Sequence, residues 1–570
     1  MSSEKASTDE PSRCLNGEGC EDRAGQSRKD IGPKSSMSGQ RVGGVSGGGG
    51  LGRGDGISWE TCHRAALPVE AATAGTTPSL AAKTARAAAG VGDLHSSVEV
   101  RDSITRAERR EGTCANAHQR SEGPDKQDDG RGETLWIRTS LKVRKLQRAL
   151  YRKAKAEPRW RFYSLYGELC RGDLLADALD AVMENGGAPG VDGFRVEQLK
   201  EDATFRAEWL AALAAELRSK TYWPSPVRRV YIWKDLARTK RRPLGIPTVK
   251  DRVVQTAVAI LLQPIWEADF HDYSYAYRPR RNTHQAMDTI KEALLSGRTE
   301  VVDADLSSYF DTIPHRELMR RVARRVSDGA ILKLIKAWLR APIVEEDRAS
   351  GQRKITPNTR GTPQGGVISP LLANLYLDPL DHAVNDRCEL QPVMVRYADD
   401  LVILARPGQG AGLRERLQRW TQQRGLALNE EKTRLVDYRR EAFTFLGFNV
   451  SRRLGRKGRW YPHVEPSAKS CGKLRSKVRE LLNVRTRNQP TSEVVAQLNR
   501  VTQGWARAFH YANSTAKFDR LQHYVRQTVR RWLWRKHNGT RALFTHYTND
   551  RLHGSYKLWR WPLHAAWTQA

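Results

Sequence analysis

The sequence predicts an α+β protein: an antiparallel sheet backed by helices in the middle of the chain, then a helical region over residues 461–540. Two observations predict it. Val393-Met394-Val395-Arg396 and Leu401-Val402-Ile403-Leu404 are apolar runs on either side of Tyr397-Ala398-Asp399-Asp400. Strands meeting at a tight acidic turn are what such a string builds. From residue 467 to 536 apolar residues recur instead at helical spacing. Leu474, Val478, Leu481 and Leu482 share one face, and Val494, Val495 and Leu498 another.

Charge and composition set where that fold begins. The 570 residues hold 96 Lys+Arg and 64 Asp+Glu, a net of +32. Residues 1–133 hold 18 and 20 of these, a net of −2, so residues 134–570 carry +34. The first segment is rich in Gly, Ser and Ala and poor in large apolar groups. It cannot bury enough surface to offset chain entropy and is expected to be a disordered tail. A body as basic as the remainder points to a polyanionic partner. The seven cysteines include no Cys-x-x-Cys pair, so no zinc site is readable and a reducing compartment fits. No run approaches the ~18–20 apolar residues of a membrane helix. The start, Met1-Ser2-Ser3-Glu4-Lys5-Ala6, lacks the apolar core of a signal peptide. The expectation is a cytoplasmic protein associated with nucleic acid, without membrane partners.

Taken in order, residues 134–180 form a basic extension with a helix over Leu141–Leu150. Tyr231-Ile232-Trp233-Lys234 and residues 241–247 read as two strands joined by a basic turn. Residues 299–306, Thr-Glu-Val-Val-Asp-Ala-Asp-Leu, read as another strand, followed by Ser307-Ser308-Tyr309-Phe310-Asp311. Residues 361–366, Gly-Thr-Pro-Gln-Gly-Gly, make a constrained loop of small residues that lets backbone approach a nucleotide. Ser369-Pro370 then stand at the N-cap and first turn of a helix that buries residues 371, 372, 375 and 376. Adjacent carboxylates such as Asp399 and Asp400 repel unless a cation lies between them. Hard oxygen ligands point to Mg²⁺. A third carboxylate on a neighbouring strand would complete a two-metal site for an in-line displacement. On chemistry alone Asp303, Asp305 and Asp311 compete for that place, and a solvated acidic turn is the bland alternative.

The order and wording of five strings narrow this. Asp305-Leu-Ser-Ser-Tyr-Phe-Asp311, the 361–377 loop and helix, Tyr397–Asp400, residues 426–433 (Leu-Ala-Leu-Asn-Glu-Glu-Lys-Thr) and residues 443–448 (Phe-Thr-Phe-Leu-Gly-Phe) together resemble the palm motifs of reverse transcriptases. Upstream, Gly187-Ala-Pro-Gly-Val-Asp-Gly193 and Ser274-Tyr-Ala-Tyr-Arg-Pro279 resemble the fingers of group II intron reverse transcriptases, with Ala-Tyr replacing the commoner Gly-Phe. Leu498-Asn-Arg-Val-Thr-Gln-Gly-Trp-Ala-Arg-Ala-Phe509 resembles the maturase-domain signature, which also serves as polymerase thumb.

The resemblance covers roughly residues 135–540. It implies a right-hand polymerase with fingers and palm over 181–460 and an α-helical thumb/maturase domain over 461–540. A basic aromatic segment, 541–570, follows with Trp559, Trp561 and Trp567. It implies that Asp305, Asp399 and Asp400 hold two Mg²⁺ ions, with Asp303 and Asp311 in support. Lys234 and Arg242 would meet nucleotide phosphates, Gln364 would lie against the incoming nucleotide, and Lys432 near the leaving pyrophosphate. Phe310 would exclude a ribose 2′-hydroxyl.

Residues 525–537 interleave Arg with Trp. Arg526, Arg530, Arg531, Arg535 and Lys536 are therefore expected on an RNA-binding face, since Arg neutralises phosphates and aromatic rings stack on bases. A solvated helix face and a grip on the template duplex remain open. The implied function is an RNA-directed DNA polymerase that copies intron RNA and assists its splicing, without a C-terminal endonuclease. Its implied partners are intron RNA template, DNA or RNA primer, deoxynucleoside triphosphates and target DNA. A reverse transcriptase of another branch (retron or phage defence) and a splicing-only maturase are the alternatives. The maturase signature argues against the first and the three aspartates against the second.

Overall fold

The computed structural model describes residues 137–233, 239, 241–346, 350–539 and 542–562. The expected tail, Lys234 and Trp567 lie outside the described residues.

A buried helix organises the first half. Val249–Glu267 is enclosed on nearly every side, with Asp251, Arg252 and Gln255 buried among its apolar residues. Thr248 caps it by accepting from the Asp251 amide. The basic helix Leu141–Ala156 lays Val143, Leu150 and Ala154 inward, and Gln147 donates to the Ile260 carbonyl at 3.1 Å. The helix Gly172–Asn185 buries its own apolar stripe in the same cluster. It crosses residue 180, so the basic extension and the fingers share one core rather than dividing there.

Three sheets follow. In the first, β1 (Val227–Trp233) pairs antiparallel with β2 (Arg241–Ile246), so the two expected strands are present, with Trp233 opposite Arg241. Two strands that the sequence does not announce extend it. β4 (Ile343–Glu346) runs parallel to β1, and β5 (Arg353–Thr356) antiparallel to β4. Both are short and half polar, which hides the alternation.

The second sheet is antiparallel throughout, in the order β6-β7-β3-β8: Val393–Tyr397, Asp400–Ala405, Glu300–Asp305 and Arg434–Asp437. Its side chains alternate between two clusters, as strand pleating requires. Val302, Ala304, Leu401 and Ile403 face the core around Val249–Glu267. Val301, Val395, Val402 and Leu404 face a second cluster, built with the helix Thr283–Leu295 and the third sheet. Asp305 and Asp400 lie on this second face, at the strand ends.

The third sheet is β9 (Phe443–Phe445), β10 (Phe448–Leu454) and β11 (Trp460–Pro466). Leu446 and Gly447 turn between β9 and β10 with φ of 49° and 82°, the left-handed pair that tight hairpins demand. Because β11 begins at Trp460, residue 460 falls inside a hairpin and is not a domain edge.

The predicted helical region follows: Ala468–Leu481, Thr491–Phe509 and Thr515–Lys536 pack around Leu474, Val494, Leu498, Leu521 and Val525. Tyr547, Leu552, Leu558 and Trp561 join that cluster, so residues 542–562 complete this helical core rather than forming a separate segment. No described helix is long and apolar enough to cross a membrane.

Candidate active site

The carboxylates converge through strand register. Tyr397 pairs with Asp400 across a two-residue turn, Ala398-Asp399, and Asp305 stands directly opposite Asp400 on the next strand. Ala398 takes a left-handed φ of 62°, a conformation that costs an L-residue roughly 1–2 kcal/mol. What holds it is Arg396, 0 % exposed. Its guanidinium makes five hydrogen bonds: two to Asp381 at 2.7 and 2.5 Å, and one each to Asn374 (3.0 Å), Ser274 (2.7 Å) and the Ala398 carbonyl (3.2 Å). All five N–H donors are thereby used.

Segment 273–275 adds to the edge of β6. The Arg396 amide donates to Tyr273 O and the Tyr275 amide to Arg396 O. The Ser-Tyr-Ala-Tyr-Arg-Pro string thus sits beside the acidic turn. Burial pushes up the Tyr277 hydroxyl, helped by Asp399.

Burial also raises the Asp399 carboxyl, reinforced by Asp305. It pushes Asp400 up to about 7, reinforced by Asp399 and Asp305. Lys432 answers the negative charge: its Nζ is 2.5 Å from Asp305 Oδ2. This arises because the Asn429 amide donates to the Asp305 carbonyl and the Ser307 amide to Ala427, tying the 426–433 string to the end of β3. Arg242 on β2 and Lys432 offset only part of the rise at Asp399. Three neighbouring carboxylates, with the Lys432 ammonium bonded to Asp305, make a place where a cation would relieve repulsion, although among the described residues no three such groups are already arranged as a metal site. Of the competing acids, Asp303 pairs with Arg434 at 3.3 Å and Asp311 accepts from Gln364 Nε2 at 3.0 Å.

The loop before the 369–385 helix is built for close backbone contact, but with another strand. The Gly245 amide of β2 donates to Gln364 O at 2.5 Å. Gly365 has φ of 110°, and a Cβ there would collide with the Gly245 carbonyl. Ser369 is the first residue of its helix rather than the cap, and its hydroxyl donates to Pro363 O. Phe310 follows in a short helical turn, half buried, edge-on to Tyr309 at 5.5 Å. The Thr362 amide donates to its carbonyl.

Two of the five expected RNA contacts point elsewhere. Arg530 is 7 % exposed and donates to the Tyr547 carbonyl and Asn549. Lys536 donates to the Arg487 and Gln489 carbonyls. Arg530 is taken up by residues 547–549, which fold back over this side of the helix, and Lys536 by the short helical turn Arg485–Asn488 and by Gln489 just after it. Arg531 and Arg535 are exposed and Arg526 half exposed. The maturase-like string is largely structural: Trp505 Nε1 donates to Ser470 O, and Phe509 lies 5.1 Å from Phe448.

Two families match successive parts of this layout. Reverse transcriptase (RNA-dependent DNA polymerase) matches residues 233–450, and the group II intron maturase-specific domain matches residues 472–549. Protein YkfC of Escherichia coli is 35% identical over 357 residues, covering 55% of this chain and 90% of that one. This chain belongs to the group II intron reverse transcriptase/maturase family. A second family relative, the group II intron-encoded protein LtrA of Lactococcus lactis, is 37% identical over 230 residues, 39% of this chain and 35% of that one. The solved telomerase of Candida albicans aligns at a TM-score of 0.33 and 12% identity, over 55% of this chain and 59% of that one, too distant a likeness to add to the family assignment.

The sequence signals for Asp305, Asp399, Asp400 and Lys432 lie at one place. Missed by sequence reasoning were Arg396, Asp381 and Tyr277. The available signal was a lone arginine inside the apolar run that enters the acidic turn.

Proposed function

We propose that this protein copies intron RNA into DNA, with Asp305, Asp399 and Asp400 as the catalytic carboxylates, and that it binds the intron RNA to assist splicing. The observation that carries this reading is the register that sets Asp305 opposite Asp400 beside Asp399. The reaction joins a primer 3′-oxygen to the α-phosphorus of a deoxynucleoside triphosphate and releases pyrophosphate. Two Mg²⁺ ions held by the three aspartates would lower the pKa of the 3′-hydroxyl and stabilise the leaving group.

The chain's own residues do the rest. Arg396 fixes the turn. Lys432 holds Asp305 and stands where leaving-group charge can be met. Arg242 reaches nucleotide phosphates, a role proposed also for Lys234; Gln364 and Phe310 line the nucleotide side. Fingers and palm run from the basic extension to Pro466, and the thumb/maturase domain from Ala468 to residue 562. The partners are intron RNA, a DNA or RNA primer and target DNA, and the setting is the bacterial cytoplasm.

Asp400→Asn tests the reading. Extension of a primer on an RNA template should fall by at least a hundredfold, the scale on which single electrostatic groups act at reaction centres. Intron RNA affinity should stay within a few fold. Unchanged extension would remove the aspartates from the chemistry.

A further inference from the structure

We infer that the projecting tip of the β10–β11 hairpin is a binding site for an unpaired nucleic-acid strand, separate from the catalytic turn. One face of the hairpin runs Phe448, Val450, Arg452, Leu454 on one strand and Pro466, Val464, Pro462, Trp460 on the other. At the base this face is core, with Val450 and Val464 both 0 % exposed. β9 pairs only with residues 448–450, so the last residues of the ribbon extend past the sheet. The same face then ends in Leu454 and Trp460, 57% and 52% exposed. An apolar stripe that continues beyond its core presents a surface to something other than that core.

The charge at the tip is one-sided. Arg452, Arg453, Arg456, Lys457 and Arg459 fall within eight residues, and no Asp or Glu occurs from 452 to 464. Glu465, at the base, already has Arg453, His463 and Lys517 around it. Charges on a ribbon often guard exposed strand edges against pairing. Arg456 and Lys457 lie in the turn, where there is no ladder to guard, and an edge guard would not carry an exposed Trp. The tip is ordered by its own backbone: the Gly455 amide donates to Arg459 O at 2.8 Å and the Gly458 amide to Gly455 O at 3.0 Å. The Arg452 guanidinium lies 4.3 Å from the Trp460 ring centre, holding the indole in place.

A fixed, open indole among cations is the combination that takes a base on the ring and phosphates on the rim. A continuous duplex offers no base face to stack on, and the deep groove of A-form RNA is too narrow for side chains to read. An unpaired strand offers both features. The nucleic-acid class of the partner rests on the polymerase reading; the location and the preference for unpaired strand rest on the hairpin.

The test is anisotropy of a short labelled oligouridylate on the full chain across a salt series, with a duplex of equal length beside it. Trp460→Ala should weaken single-strand binding about five- to a hundredfold, and Trp460→Phe should restore most of it. The combined variant Arg456→Gln, Lys457→Gln, Arg459→Gln should flatten the log–log salt slope by about 2. Circular dichroism and the thermal midpoint check that each variant is folded. Folded variants with unchanged affinity and slope would overturn the inference, and so would an equal loss on duplex and single strand. Asp400→Asn separates this from the catalytic reading, because it should abolish extension and leave hairpin binding intact.

Discussion

Arg396 shows how much of the site rests on a residue that touches no substrate. A guanidinium with all five donors bonded and 0 % exposed tolerates no partial replacement. Arg396→Met leaves Asp381 charged and unpaired in the interior, and breaking such a pair costs about 3–5 kcal/mol. Thermal unfolding should register that loss, and extension should fall in whatever protein remains folded, because the Ala398 turn loses its anchor. Phe310 gives a second expectation. As a gate its ring discriminates by clash, so Phe310→Val should relax deoxyribose preference by roughly 10–200-fold, the range a pocket of fixed shape commands. Its contact with Tyr309 supplies the competing account: a packing residue would lose stability and both nucleotide activities together. Comparing ribo- and deoxyribonucleotide incorporation in the folded variant decides between them. At this scale the sequence was legible where chemistry is written in strings, as at Asp305, Asp399, Asp400 and Lys432. It was opaque at Asp381, whose partner is fifteen residues away on another element.

Elements were legible where their pattern is long. The Val393–Ala405 hairpin and the thumb helices carry clear periods. β4 and β5 carry four residues each, mostly polar or exposed, and the pairing that brings β4 to β1, and β5 to β4, is tertiary. The glycines of the 361–366 loop were legible as close-approach residues, but not what they approach, since a φ requirement says nothing about the neighbour. The Ser369–Asn385 helix carries a pH-dependent link of its own. His382 Nδ1 is 2.5 Å from Asp386, and Nε2 lies 3.0 Å from the Asp269 carbonyl and 3.5 Å from Asp378. Asp378 foremost, then Asp386, push its pKa up to about 10, while burial keeps neighbouring His271 below its usual range. A folded pKa above the unfolded 6.5 stabilises fully below that pH, and the contribution is lost as pH rises through 10. His382→Gln should therefore lower the thermal midpoint most near pH 6, with the deficit closing towards pH 10. A deficit that is constant with pH would mean the ring acts only by packing.

At the scale of the whole molecule, the polymerase and the maturase share one seam. Phe509 lies against Phe448, and Tyr511 stacks on His284 and donates to Asp288. The open arginines are on the last long helix. Arg526→Gln, Arg531→Gln and Arg535→Gln together should flatten the salt dependence of intron RNA binding by about 2 log units per log of salt. Splicing lost while short-template extension persists supports the RNA surface. Loss of both assigns the face to duplex grip, and loss of neither leaves it to solvent. The register behind Asp305 and Asp400 has one more consequence, for how such a chain can diverge. Side chains alternate faces along a strand, so a single inserted or deleted residue in β3 or β7 would swing the carboxylates into the core around Val249–Glu267 and bring Val302 or Ile403 to the open face. The central sheet can drift only by exchange of one residue for another. Changes of length must collect where no facing strand counts residues, and the turn from Gly455 to Arg459 is such a place.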